Sequence, residues 1–241
     1  MAEIAQTADH ALRILLELGN GEPLSPAVLA ERLDLNRTVV HRLLATLAAR
    51  GFVSRYGSLY RPGPTLIRLA KVIQPDLRLI AAPVLEALAQ QTGESAVLHV
   101  PDNQDAVVLD QAVSNRHIVQ VNHEIGSRHS LAVSASGRAI LAYSEPALIK
   151  LMTRNSDQPA GLERTLEAVR QLGYSTSHDE LQQGVHGVAV PILTPDNTPL
   201  GSLAVLTPVI RSTGIEQYID ALLAGAKQIT AALFAGPSDE G

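Results

Sequence analysis

The sequence predicts an α+β protein in two parts, a winged helix-turn-helix followed by a larger mixed domain. Three observations point there. Before residue 64, three helical patterns with short breaks lead into a small hairpin. From about residue 76, strand-like and helical pieces follow in an order that suggests one antiparallel-rich sheet with helices around it. Between Leu35 and Pro75 there is no Asp or Glu, yet the stretch carries Arg37, Arg42, Arg50, Arg55, Arg61, Arg68 and Lys71.

The first helix is read from Ile4, Ala8, Ala11, Leu12, Leu15, Leu16 and Leu18 at helical spacing, stopped by Gly19-Asn20-Gly21. Ser25-Pro26 reads as an N-cap followed by proline at the first helical position, and Ala27, Leu29, Ala30 and Leu33 make a short second helix. After the turn Asp34-Leu35-Asn36, with its capping residue, a third helix runs from about Arg37 to Arg50 and ends at Gly51. Phe52–Arg55 and Leu59–Arg61 are β-prone pieces around Tyr56-Gly57-Ser58, a hairpin. Pro62-Gly63-Pro64 breaks the chain before an apolar helix that begins near Thr65, and Pro75 marks a boundary.

Beyond it, helices are expected at Leu77–Thr92, Ser136–Tyr143, Pro146–Met152, Leu162–Leu172 and Thr213–Phe234. Strands are expected at Ser95–Val100, Ala106–Ala112, His117–Val121, Val185–Leu193 and Leu200–Leu206. The expected division is 1–64, a DNA-binding domain; 65–75, a linker helix; 76–235, a second domain; and 236–241, a flexible tail.

Composition narrows the function. The 241 residues are 46% hydrophobic and 18% charged, enough for an ordinary core. Without cysteine there are no disulfides and no thiolate chemistry. With 3% aromatic residues and no tryptophan, a stacking surface for sugars or single strands is not expected. No apolar run reaches membrane-spanning length, so a cytoplasmic protein without membrane contact is expected.

The net charge of −5 argues against nucleic acid, but it is an average: residues 1–72 hold nine Lys/Arg and six Asp/Glu (+3), the remainder ten and eighteen (−8). An acid-free cationic stretch suits a surface that approaches phosphates. On a helical wheel, Val39, Val40, Leu43, Leu44 and Leu47 share one face of the third helix. Thr38, His41, Arg42, Ala45 and Ala49 share the other, with Arg37 at the N-terminal edge. Residues near the start of a recognition helix reach base edges, and arginine pairs bidentately with guanine. Asn36, Arg37, Thr38, His41 and Arg42 are therefore the candidate DNA-reading residues, with Arg55 and Arg61 of the hairpin contacting phosphate or the minor groove. The partner is double-stranded DNA.

The run from Leu24 to Leu47, continued by Gly51-Phe52-Val53 and Tyr60-Arg61-Pro62-Gly63-Pro64, resembles the DNA-binding domain of IclR-type regulators. The similarity extends to Ser134–Ala142, Gly173-Tyr174 through Val185, and Val188–Ile192, and covers about residues 8–235. It implies a GAF-like effector-binding domain, a dimer or dimer of dimers, and repression of neighbouring catabolic genes. Carried over by position, the pocket comprises Ile118 on a strand, the loop Ser134, Ala135, Ser136 and Gly137, then Ser177, Val185 and Gly187, and Ala204 and Leu206 on the last strand. Ser177-His178 stands where members often have an acidic pair, Gly187 where many have cysteine, and Ala204 and Leu206 where some carry hydroxyls. An apolar wall of Ile118, Val185, Ala204 and Leu206 is expected, with helix-start N–H groups holding the carboxylate of a partly apolar or aromatic acid.

His178, Asp179 and His186 match no zinc or non-haem iron spacing, so no metal or cofactor is expected. There is no Gly-x-Ser-x-Gly elbow, phosphate-binding glycine loop or His-Glu-x-x-His, so catalysis is not expected. The rival readings are a small-molecule-processing enzyme and a module that docks proteins through its winged helix.

Overall fold

The computed structural model describes residues 4–70 and 75–235. Contacts divide the chain into two units, residues 1–75 and 76–241. The expected linker 65–75 is described only at its ends, because 71–74 lie outside the described residues, as does the expected tail 236–241.

In the first unit, α1 (Gln6–Gly19), α2 (Pro26–Arg32) and α3 (Arg37–Ala49) precede the hairpin β1 (Val53–Tyr56) and β2 (Leu59–Pro62), then α4 (Pro64–Ala70). Both expected caps form. Ser25 Oγ accepts the Val28 N–H at 3.3 Å, and Asn36 Oδ1 accepts that of Thr38 at 2.8 Å. Ser25→Ala should lower the unfolding free energy of this unit by about 1 kcal/mol, the usual value of a cap, readable by thermal denaturation.

The core gathers Ile14, Leu18, Leu29, Val40, Leu44, Val53 and Tyr60. Leu24 bridges Tyr60 and widens the hairpin into a wing. Gly63 lets the wing close on the end of α3: a Cβ there would stand 2.3 Å from the Gly51 carbonyl oxygen. One expectation fails on α3. Val39 is exposed rather than packed, because the buried stripe is narrower than the apolar one and comprises Val40, Leu43, Leu44 and Leu47.

The second unit starts with α5 (Pro75–Thr92) and contains β3 (Ser95–Asp102), β4 (Asp105–Ala112), β5 (Arg128–Ser130), α6 (Ser134–Leu141), α7 (Pro146–Arg154), α8 (Pro159–Leu172), β6 (Ser175–His178), β7 (Val185–Leu193), β8 (Pro199–Pro208) and α9 (Ile219–Phe234). Its sheet is antiparallel throughout, in the order β5-β4-β3-β8-β7-β6.

Strand alternation sends Leu98, Val190, Leu203 and Val205 to one face, where they pack against Val84, Leu85 and Leu88 of α5 and Leu222 and Ile229 of α9. The other face meets α6 through a layer of small residues, Ala135 and Ala139 on Ala189 and Ala204. The start of α6 borders the cavity described below.

Two expectations need correction, and one strand lies outside those expected. His117–Val121 is not a strand but part of a long loop. The edge beside β4 belongs to β5, and the loop is held by side chains instead: Ser95 Oγ donates to the Val121 carbonyl, and the Gln111 amide reaches Asn122 and His123. Strand β6, Ser-Thr-Ser-His, has no apolar alternation and takes its conformation from pairing with β7. The last helix begins at Ile219, after two short 3-10 turns separated near Gly214, whose φ is +73°.

Candidate DNA interface and effector pocket

The buried stripe of α3 turns Arg37, Thr38, His41 and Arg42 outward, all exposed. Asn36 is exposed too, with its side-chain oxygen committed to the cap. On the wing, Arg55 Nε donates to the Gly57 carbonyl at 2.8 Å, and the Arg61 guanidinium stacks 3.8 Å from the centre of the Tyr56 ring. Stacking fixes a long side chain without neutralising it.

Charge pairing separates two kinds of arginine. Arg32 is bound to Glu17 at 2.7 Å and Arg13 donates to the Leu33 carbonyl, so both hold α1 to α2. Among the described residues, Arg37, Arg42, Arg50, Arg55, Arg61 and Arg68 have no carboxylate partner. Within the first unit, these unpaired arginines lie on α3, its C-terminal end, the wing and α4. Such a surface gains most by approaching a polyanion.

In the second unit a small cavity opens beside α6, lined from the strands, the helix start and the bend between β6 and β7. It is narrow, with room at any one point for little more than a water. Ser134, the first residue of α6, has φ +71°, an uncommon conformation for a residue with a Cβ. It is held there by Glu180, which accepts the Ser134 N–H at 3.0 Å, and by His129, whose Nε2 lies 2.8 Å from Ser134 Oγ.

Glu180 is also chelated by Arg138, at 2.5 and 2.7 Å. Burial alone would raise its carboxyl pKa. The hydrogen bonds and charge of Arg138 and the Ser134 N–H outweigh that and hold it below the usual range. Arg138 additionally donates to the Thr176 carbonyl at 2.8 Å.

The floor is made by three histidines from separate segments, His99 of β3, His123 of the long loop and His129 of β5. The His99 ring lies edge-on to both others, with centroids 6.3 and 5.2 Å away. Burial, with His129 and His123 alongside, pushes His99 well below the ordinary histidine value. Burial also lowers His123. Burial first, then His123, brings His129 down to about 4 against a small opposing effect of Asp105. At neutral pH the floor is uncharged.

Residues 70–231 match the family described as bacterial transcriptional regulator IclR, C-terminal, and residues 7–58 match a MarR family description. The chain belongs to the IclR family. It is similar to the HTH-type transcriptional regulator BhcR of Paracoccus denitrificans, 29% identical over 92% of this chain and 85% of that one. It is also similar to the transcriptional repressor IclR of Escherichia coli, 27% identical over 85% and 81%. The crystal structure of an IclR homologue from Microbacterium hydrocarbonoxydans, complexed with 4-hydroxybenzoate, shares the fold at a TM-score of 0.81, with 21% identity over 95% of this chain and all of that one. This IclR-family chain is therefore a DNA-binding transcriptional regulator with a C-terminal effector-binding domain of the GAF-like type.

Within this IclR-family domain, seven of the ten residues carried over by position surround the cavity: Ser134, Ala135, Ser136, Ser177, Val185, Gly187 and Leu206. Three do not. Ile118 is fully exposed, because its segment is loop rather than strand. Ala204 lies under α6 in the small-residue layer. Gly137 packs against the chain at Ser130 and Leu131, where a Cβ would stand 2.8 Å from the Leu131 carbonyl oxygen.

The expected apolar wall keeps Val185 and Leu206 and loses Ile118 and Ala204, with three histidines lining the cavity beside it, and the expected free N–H groups at the helix start are partly taken: Ser134 by Glu180, Gly137 by Ser134 Oγ. Sequence reasoning missed His99, His123, His129 and Glu180. The one available signal was that four of the eight histidines, His99, His117, His123 and His129, fall within residues 99–129. His178 and His186 lie edge-to-face, centroids 4.5 Å apart, and His186 Nε2 stands 3.5 Å from Asp179.

Proposed function

We propose that this chain is a repressor which binds a double-stranded operator through Asn36, Arg37, Thr38, His41 and Arg42, with Arg55 and Arg61 on phosphate or in the minor groove, and which a small carboxylic acid releases or tightens. The domains are assigned as 1–64 for DNA and 76–235 for the effector, and the protein acts in the cytoplasm rather than as an enzyme. One observation carries the reading: among the described residues the outward face of α3 and the wing hold Arg37, Arg42, Arg55 and Arg61 without carboxylate partners, in a stretch from Leu35 to Pro75 that contains no Asp or Glu. Among the described residues no helix is long and apolar enough to cross a membrane.

Mobility shift with DNA from upstream of the chain's own gene tests this. Retardation of that fragment, and not of an unrelated one, is expected. No retardation, or turnover of a small molecule by the purified protein, would favour the docking or enzymatic readings.

Operator recognition calls for two copies, since one winged helix covers too little DNA for strong specificity. Leu12 and Leu16, four residues apart on α1 and exposed at 59 and 73%, form an apolar stripe, with Ile4, exposed at 76%, just before the helix. A homodimer seated on this stripe, pairing further into a tetramer, accounts for it. Burying one leucine contributes about 1.5–3 kcal/mol, so replacing Leu12 and Leu16 by Glu should raise the dimer dissociation constant roughly a hundredfold or more. Light scattering at micromolar concentration reads the shift to monomer; an unchanged mass would place the interface elsewhere.

The effector must differ in affinity between two conformations to act on DNA binding. The bend 179–184 can supply such a pair. It lines the cavity through Glu180, Leu181 and Gln182 and is pinned by the Arg138–Glu180 pair, and both its ends, Asp179 and Gly184, have positive φ.

A further inference from the structure

We propose that the anionic group of the effector docks on the histidine floor, His99 with His123 and His129, and that it carries a proton in with it. The inference rests on reading this cavity as the effector pocket. The alternative position, the start of α6, is already filled by the protein's own carboxylate. Glu180 takes the Ser134 N–H and both ends of the Arg138 guanidinium. A second carboxylate there would meet a like charge with its cation already spent.

The floor is the reverse. His99 is 1% exposed, lines the cavity, and among the described residues neither ring nitrogen has a hydrogen-bond partner. A buried polar ring left without partners costs free energy that a bound group recovers. Its neighbour across the sheet, Ser202 of β8, also has a buried hydroxyl without a partner.

Every charged or titratable group near the floor can be named. From the long loop comes His123. From β5 comes His129, which also touches Ser134 Oγ. From β4, Asp105 acts on His129 but is paired with Arg128 at 3.2 Å. From the bend, Glu180 is neutralised by Arg138. Among the described residues that line the cavity, no cation remains to balance an incoming carboxylate. Imidazolium is the one positive charge the floor can make, and three adjacent rings permit only one at a time. The anion and the proton therefore stabilise each other and enter together.

The ligand class that follows is a compact carboxylic acid whose ionised end lies on the histidines. Among the described residues no group of three or more His, Asp or Glu is placed to hold a metal ion, so the floor is assigned to an acid.

The sign of the pH effect is fixed. Carboxylic acids are already ionised at neutral pH, and the ligand-free floor, with all three histidines lowered from the ordinary value, is neutral there, so binding takes up one proton. Affinity should therefore fall about tenfold for each unit rise in pH until the pKa of the occupied floor is passed.

The test uses the purified full chain and three probes, 4-hydroxybenzoate, benzoate and succinate, by calorimetry at two pH values in buffers of different ionisation enthalpy. The expected result is that at least one probe binds with uptake of close to one proton and more tightly at the lower pH. Its addition should move one histidine ring signal in the NMR spectrum to the imidazolium position. His99→Phe should remove both effects. Should that variant fail to fold, His123→Gln, at the more open edge of the floor, should reduce them. Binding without proton uptake and equal at both pH values, or no binding of any probe, would overturn the proposal. DNA binding is assayed on the same samples. A chain that shifts DNA but takes up no proton refutes this inference alone, whereas one that binds acid with its proton but shifts no DNA refutes the regulatory reading.

Discussion

Replacing Arg42 by alanine is expected to abolish operator binding at working concentrations while leaving the fold intact. Arg42 stands on the exposed face of α3, and among the described residues its side chain has no hydrogen-bond or ion-pair partner. Its carbonyl alone is used, accepting Thr46 Oγ1 at 3.0 Å, and alanine keeps that bond. Alanine is also the best helix former, so the thermal midpoint should not fall. A bidentate contact to guanine is worth about 1–3 kcal/mol, and a dimer reading two half-sites loses it twice. The combined loss is roughly 30-fold to ten-thousandfold in affinity, with relaxed preference at the base it reads. Fluorescence anisotropy on operator and scrambled duplexes measures both. Unchanged affinity and unchanged preference would mean that another face of the helix meets DNA.

The second large effect is expected at Gly187. It lies on β7 at the cavity wall, and a Cβ added there would stand 3.0 Å from Ser177 Oγ, 3.1 Å from Leu206 Cδ2 and 3.9 Å from Ala135 Cβ. Its φ is not in the left-handed region, so a larger residue strains no backbone. Gly187→Leu should fill the cavity from inside. Overpacking costs about 1–3 kcal/mol, which reappears as a roughly tenfold to hundredfold loss of effector affinity. Ligand-free DNA binding should stay within about twofold, because α3 and the wing belong to the other unit. Ser136→Phe, on the opposite wall and 3% exposed in the wild-type chain, should act the same way. Calorimetry with 4-hydroxybenzoate, benzoate and succinate reads the loss; wild-type affinity in both variants would place the ligand elsewhere.

Local chemistry made much of the fold legible. Ser25 and Asn36 announce helix starts because their side chains accept the orphan N–H groups of a first turn, and both do so. The period of Val40, Leu43, Leu44 and Leu47 separates the buried face of α3 from the face that carries its arginines. The ends of β7, Val185 and Leu193, fall where the apolar run begins and ends.

What local pattern cannot carry is pairing. His117-Ile118-Val119-Gln120-Val121 looks like a strand, yet β5 takes the edge beside β4 and leaves Ile118 in solvent. Ser175–His178 carries no apolar alternation, yet pairs with β7. The candidate pocket suffers most, because its chemistry comes from pairings across the sheet. His99 and His129 meet only because β3, β4 and β5 lie side by side, and Glu180 reaches Arg138 across 42 residues. Both associations turn a pocket expected to be aliphatic into one with a neutral histidine floor and its own carboxylate at the helix start.

The central claim, that the acid-free surface of α3 and the wing meets a DNA backbone, is tested most directly by the salt dependence of operator affinity. If Arg37, Arg55 and Arg61 of each copy in a dimer contact phosphate, about six counterion sites are released and log K should fall with log salt at a slope near −5. Arg61→Ala should make that slope shallower by about two, one site per copy, while leaving sequence preference unchanged. A slope shallower than about −1, unaltered by Arg61→Ala, would contradict the account, because a surface that touches phosphates through unpaired arginines cannot be insensitive to salt.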